Sequence, residues 1–127
     1  MKVKKIKVPY YKWVVVSIII ESYEDKDLVV KKMHSLQMRS EDIDNVVELI
    51  DNEALGGAVC HYNSNKLMCV IVTFPHKSTK ALTSTLIHEG RHASDKIIET
   101  TGLEGSEACA YLTEYVILEI ISDYIKD

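Results

Sequence analysis

Five consecutive residues, His88-Glu89-Gly90-Arg91-His92, carry the pattern His-Glu-x-x-His. Residues four apart on a helix lie on one face, one turn above the other. If this stretch is helical, His88 and His92 aim two imidazoles at one point, an arrangement that a zinc ion accepts from nitrogen ligands. Glu89 is offset by one position, so its carboxylate reaches a water on such a metal without ligating the metal itself. Two nitrogen ligands and an adjacent base form the core of a metal-assisted hydrolase.

A catalytic zinc also takes a third protein ligand and keeps a fourth position open. Glu107 is the candidate, since it opens a segment, Ser106-Glu107-Ala108-Cys109-Ala110-Tyr111, that reads as the start of a second helix. A helix-turn-helix would return it to the metal. Glu104 is the alternative, although it sits between Gly102 and Gly105, in the turn itself. Tyr111, one turn beyond Glu107, is the candidate donor to a developing oxyanion. Asp95, three residues past His92, is placed to orient a ligand imidazole. Arg91 is expected to point away from the metal. His34, His61 and His76 read as surface or loop residues, and His76, just ahead of the motif, is the reserve ligand.

These two motifs in this order resemble gluzincin-type zinc metallopeptidases. The chain is most similar to short phage-borne proteins with a His-Glu-x-x-His helix followed by a Glu-x-x-Ala-Tyr-Leu helix. The resemblance covers mainly Thr85 to Tyr115. It implies zinc on His88, His92 and Glu107, Glu89 as general base, and peptide-bond hydrolysis of a peptide or protein substrate. It also implies that the hairpin bordering the cleft holds extended substrate by main-chain pairing, and that the protein acts in the cytoplasm of a bacterial host. The alternative is a zinc-stabilised binding or structural protein that performs no hydrolysis.

The positioning elements follow from punctuation and periodicity. Ser78 and Thr79 are N-cap candidates, Leu82, Leu86, Ala93 and Ile97 form a core stripe, and Gly102 is a natural stop, so a helix is expected over 79–100. Gly90 falls on that stripe. Glycine costs a helix about 1 kcal/mol against alanine, which suggests close approach of a strand backbone there. The final helix, 106–125, is apolar nearly all round. Ala108, Leu112, Val116 and Ile120 face one way and Tyr115, Leu118 and Ile121 another, so a homodimer through this helix is expected.

Upstream, the β-branched runs read as strands at Lys4–Val8 and Lys12–Ile20, joined near Pro9. Helices are expected over 24–37 and from the cap Ser40 to Asn52, with Ile43, Val46, Val47 and Ile50 as the apolar face of the second. A hairpin, 58–62 and 66–74, follows around Asn63-Ser64-Asn65. A two-residue turn there would set Cys60 opposite Cys69. The expected fold is one α+β domain, a small and mostly antiparallel sheet packed on the C-terminal helices.

The 127 residues suit one domain, with 46% hydrophobic and 27% charged composition and a net charge of −4. No basic face argues for nucleic acid. Three cysteines, an odd number, suit a reducing compartment. The apolar run Trp13–Ile20 follows a lysine-rich start but is too short to cross a bilayer and precedes no small-x-small cleavage site, so no membrane partner is expected.

Overall fold

The two most apolar strand sequences lie at the centre of the sheet. The computed structural model describes residues 1–125. Its four strands are β1 (Lys2–Lys7), β2 (Val14–Ile19), β3 (Ala58–Asn63) and β4 (Met68–Thr73), in the order β1-β2-β4-β3. The pairings β1–β2 and β3–β4 are antiparallel, and the central pairing β2–β4 is parallel, with Val16 opposite Val70. Four helices complete the α+β fold: α1 (Lys26–Ser35), α2 (Ser40–Asp51), α3 (Thr79–Thr101) and α4 (Ser106–Ile121).

Alternation along the strands divides the core in two. Val15, Cys69 and Ile71 pack with Leu86, Ala93 and Ile97 of α3 and Leu112, Val116 and Ile120 of α4. Val16, Ile18, Val70 and Val72 pack on the opposite face with Val29 and Met33 of α1 and Ile43, Val46 and Ile50 of α2. The C-terminal helices therefore cover one face, as expected, and α1 and α2 cover the other. A strand buried on both faces has no polar side to alternate, which explains the unbroken VVVSII of β2 and MCVIVT of β4.

The helix ends follow their local chemistry. The Ser78 hydroxyl accepts a hydrogen bond from the Ala81 amide at 3.1 Å. Gly102 closes α3 in the left-handed region, φ 70°, with its N–H on the Ile98 carbonyl. At α2, by contrast, the cap residue is Arg39, without a side-chain cap bond, and Ser40 is the first helical residue. A short 3-10 turn, Tyr23–Asp25, opens the first helical region, and another, Ser122–Tyr124, follows α4.

Two expectations about close packing are corrected. The hairpin loop spans four residues, Ser64 to Leu67, with Asn63 opposite Met68. This register sets Cys60 opposite Ile71 and Cys69 opposite Tyr62, so the two cysteines are diagonal neighbours on one face, and both are free thiols. At Gly90 the close neighbour is α4, not a strand. A Cβ built there would lie 3.0 Å from Ile117 Cγ1 and 3.2 Å from Ile120 Cδ1. The glycine lets the two helices of the α3–α4 hairpin approach one another, and it fixes their relative height by bringing residue 90 level with residue 117.

Candidate metal centre

Helix α3 presents its apolar stripe to the sheet and α4 and turns His88 and His92 outward, where both are exposed. The two Nε2 atoms lie 3.0 Å apart and the ring centroids 4.5 Å apart, with the rings nearly perpendicular. Two nitrogens each about 2.0–2.1 Å from a tetrahedral ion stand about 3.3 Å from one another. The imidazole pair is thus within a few tenths of an ångström of the spacing that zinc requires, and its donor type fits that metal. In the metal-free pair one Nε2–H donates to the other ring's lone pair. A bound cation would replace this shared proton.

Glu89 lies on the inner flank of the same helix and is 9% exposed. Its neighbour is β3, an edge strand of the sheet, whose residues Ala58 and Cys60 face α3. Burial pushes the Cys60 thiol up to about 11, with the nearby Glu89 charge acting in the same direction and the Tyr62 hydroxyl in the opposite one. The Tyr62 phenol is also raised, chiefly by burial and then by the Cys60 side chain, with Glu89 adding to it. The Lys96 ammonium stands 5.5 Å from the centre of the Tyr62 ring. Glu89, Cys60, Tyr62 and Lys96 therefore form one wall between β3 and α3. Tyr62 and Lys96 escaped the sequence reading. The alternation of β3 puts Tyr62 on the face of Cys60, but only the strand order makes that face the border of the histidine helix.

The remaining sequence candidates are distributed differently. Among the described residues no three His, Cys, Asp or Glu side chains come together as a ligand group. The structure brings His88 and His92 together and does not bring Glu107 to them. The reason is axial height. Glu107 lies ten residues before Ile117, about 15 Å along α4 towards the turn, whereas His92 lies only about 3 Å from the level of Gly90 in that direction. Glu104, in the turn, is further still. Tyr111, 66% exposed, lines a separate aromatic cavity with Pro9, Tyr10, Tyr11 and Tyr115.

His76 is committed elsewhere. Its Nδ1–H donates to the Phe74 carbonyl at 2.6 Å, and its Nε2 accepts from the Thr85 hydroxyl at 2.8 Å and the Gly57 amide at 3.2 Å. Both ring nitrogens are used in fastening the β4–α3 connection, which removes His76 as a reserve ligand. His61 pairs with Asp42 on the opposite face of the sheet, Nδ1 to Oδ1 3.3 Å, and His34 is exposed on α1. Asp95 stands 3.9 Å from Arg91. Both residues border a groove with His88, so Arg91 flanks the site.

Comparison with protein-family models, with curated proteins and with solved structures gave no match. No helix of the described residues is long and apolar enough to cross a membrane.

Proposed function

We propose that the chain is a minimal zinc-dependent peptidase, with His88 and His92 holding the metal and Glu89 acting as general base. The observation that carries this reading is the convergence of the two Nε2 atoms, 3.0 Å apart, beside a carboxylate held at 9% exposure. When bound, zinc lowers the pKa of water towards about 7 and polarises a carbonyl. The chain's own part is proton handling and orientation. Glu89 takes a proton from the attacking water and delivers it to the leaving amine. Its position against β3 keeps the carboxylate oriented and shields it from bulk solvent.

A peptide is the favoured substrate because β3 is an edge strand bordering the Glu89 wall. One side of its backbone is free to pair with an extended chain. The hairpin's other strand, β4, is interior, so main-chain recognition falls to β3 alone. The resemblance to gluzincin-type peptidases supports the same substrate class.

The test is metal content together with cleavage. Purified protein is expected to hold about one zinc per chain, His88→Ala and His92→Ala are each expected to lose it, and the loaded wild type is expected to cut members of a mixed peptide library. Retention of zinc by both histidine variants would remove the reading.

Self-association is a further part of this proposal. Ile87 and Leu118 are exposed, at 41% and 46%, beside the groove between α3 and α4. A second copy covering this face would give the homodimer. Sedimentation velocity is expected to show a dimer at high protein concentration that weakens in Leu118→Glu. A monomer at every concentration would exclude it.

A further inference from the structure

The two edges of the sheet differ in charge. At one edge β3 carries no lysine, arginine or carboxylate. At the other, β1 reads Lys2-Val3-Lys4-Lys5-Ile6-Lys7. We propose that the outer edge of β1 is a docking site for an extended acidic peptide, which adds a fifth strand to the sheet and sets two carboxylates against Lys5 and Lys7. This site is independent of the metal reading above.

The backbone of β1 is free to pair. The Val8 amide donates to the Trp13 carbonyl at 2.8 Å, which makes Val8 and Trp13 a hydrogen-bonded pair of the antiparallel β1–β2 ladder. Along such a ladder, pairs that exchange hydrogen bonds alternate with pairs that do not. Lys2, Lys4 and Ile6 therefore turn their main-chain groups towards β2, and Val3, Lys5 and Lys7 turn theirs outward. The Lys7 carbonyl accepts from the Tyr115 hydroxyl at 3.3 Å, in keeping with this phase. Among the described residues no strand pairs with the outer side of β1. The N–H and C=O groups of Val3 and Lys5 and the N–H of Lys7 form a template about 14 Å long.

Charge selects the occupant. Val3, Lys5 and Lys7 share one face of the strand, and all three are exposed. On the other face Lys2 stands 3.9 Å from Glu21 and Lys4 3.7 Å from Asp123. Among the described residues no carboxylate pairs with Lys5 or Lys7. A peptide laid antiparallel on this edge sets its residues i, i+2 and i+4 opposite Lys7, Lys5 and Val3. Opposite charges in facing positions stabilise a strand pair, and like charges destabilise it. The segment that fits is acidic-x-acidic-x-apolar. The same rule disfavours a second copy of this chain, because a twofold pairing of β1 centred on Lys4 or Lys5 sets that lysine against its own copy. Edge lysines thus oppose self-association while leaving the edge open to an acidic strand. Main-chain bonds supply affinity and the alternate side chains supply selection, as in other cases of strand addition.

The experiment titrates the whole protein with the fluorescein-labelled, end-capped peptide Thr-Glu-Thr-Glu-Thr-Val-Thr and follows amide exchange by NMR. Saturable binding is expected, with added protection of the Val3 and Lys5 amides. Reversing both charges, Lys5→Glu with Lys7→Glu, is expected to weaken binding at least about 10-fold, since two facing pairs turn from attractive to repulsive. Val3→Pro keeps both lysines, removes one outward amide and breaks no β1–β2 bond; losing that hydrogen bond is expected to weaken binding about fivefold. The altered residues are exposed, so an unchanged thermal melt is expected and checks that each variant folds. Absence of saturation at millimolar peptide overturns the proposal, as does binding that survives the charge reversal. Protection of β3 amides in place of those of β1 overturns it too. An oligonucleotide of equal charge that binds as tightly, with no protection of Val3 and Lys5, marks plain charge attraction and overturns the strand pairing.

Discussion

Glu89→Gln is expected to fold, to bind zinc as the wild type does, and to lose hydrolysis by a factor of about 10² or more, the range for a positioned general base. The substitution keeps the size and shape of a side chain that is only 9% exposed, so the wall it shares with Cys60 and Tyr62 stays packed. What it removes is the ability to take a proton. Glu89 is not a proposed ligand, which separates the loss of a base from the loss of metal. The same variant divides the two function classes. In a zinc-stabilised binding protein Glu89→Gln should leave activity in the host nearly untouched, whereas His88→Ala abolishes it. The measurement pairs cleavage of a peptide library with function in the native host. A zinc-loaded wild type that cuts nothing, beside a fully functional Glu89→Gln, would end the peptidase proposal.

The largest expected stability effect belongs to the stripe beneath the site. Leu86 is 0% exposed and packs in the core between α3 and the sheet. Leu86→Ala removes buried methyl groups and leaves a cavity that close-packed neighbours fill only in part, a loss of about 2–5 kcal/mol. Against a total stability of about 5–15 kcal/mol for a domain, this is a large share. The adjacent Ile87 is 41% exposed, and Ile87→Ala is expected to change stability by less than about 0.5 kcal/mol. Urea unfolding of the two variants checks the contrast, with midpoints compared at equal slope. Similar midpoints would mean that α3 is not seated as described. Leu86 lies one turn before Glu89, so the helix that carries the base and both histidines depends on this anchor.

Helix α3 was legible because its determinants are local. Ser78 caps its start, Gly102 stops it, and Leu82, Leu86, Ala93 and Ile97 set its inward face. Once the helix exists, the approach of His88 to His92 follows from the four-residue spacing alone. Glu107 stands away from the pair for the complementary reason. Its interval from His92 counts residues along the chain, while the relevant quantity is height along a packed pair of helices. That height is set by Gly90 against Ile117 and Ile120, a contact between residues distant in sequence. Gly90 is a close-approach position, and which element approaches it, α4, is a tertiary choice.

The strands divide in the same way. β-branched runs identify β2 and β4, and their lack of alternation reflects burial on both faces. Nothing local states that β2 and β4 pair in parallel, or that α1 and α2 cover the face opposite α3 and α4. Two extra loop residues in the β3–β4 hairpin moved Cys60 from Cys69 to Ile71, because register depends on turn length. Strand order then made β3 the edge and set Tyr62 and Lys96 beside Glu89. By itself, the sequence determined the helix bearing His-Glu-x-x-His, the two strand-rich segments and the α+β class, since propensity, capping and periodicity act within a few residues. The tertiary structure alone decided how far Glu107 stands from the histidines, which strand borders the helix that carries them and which aromatic lies near Glu89, since those depend on packing between distant segments.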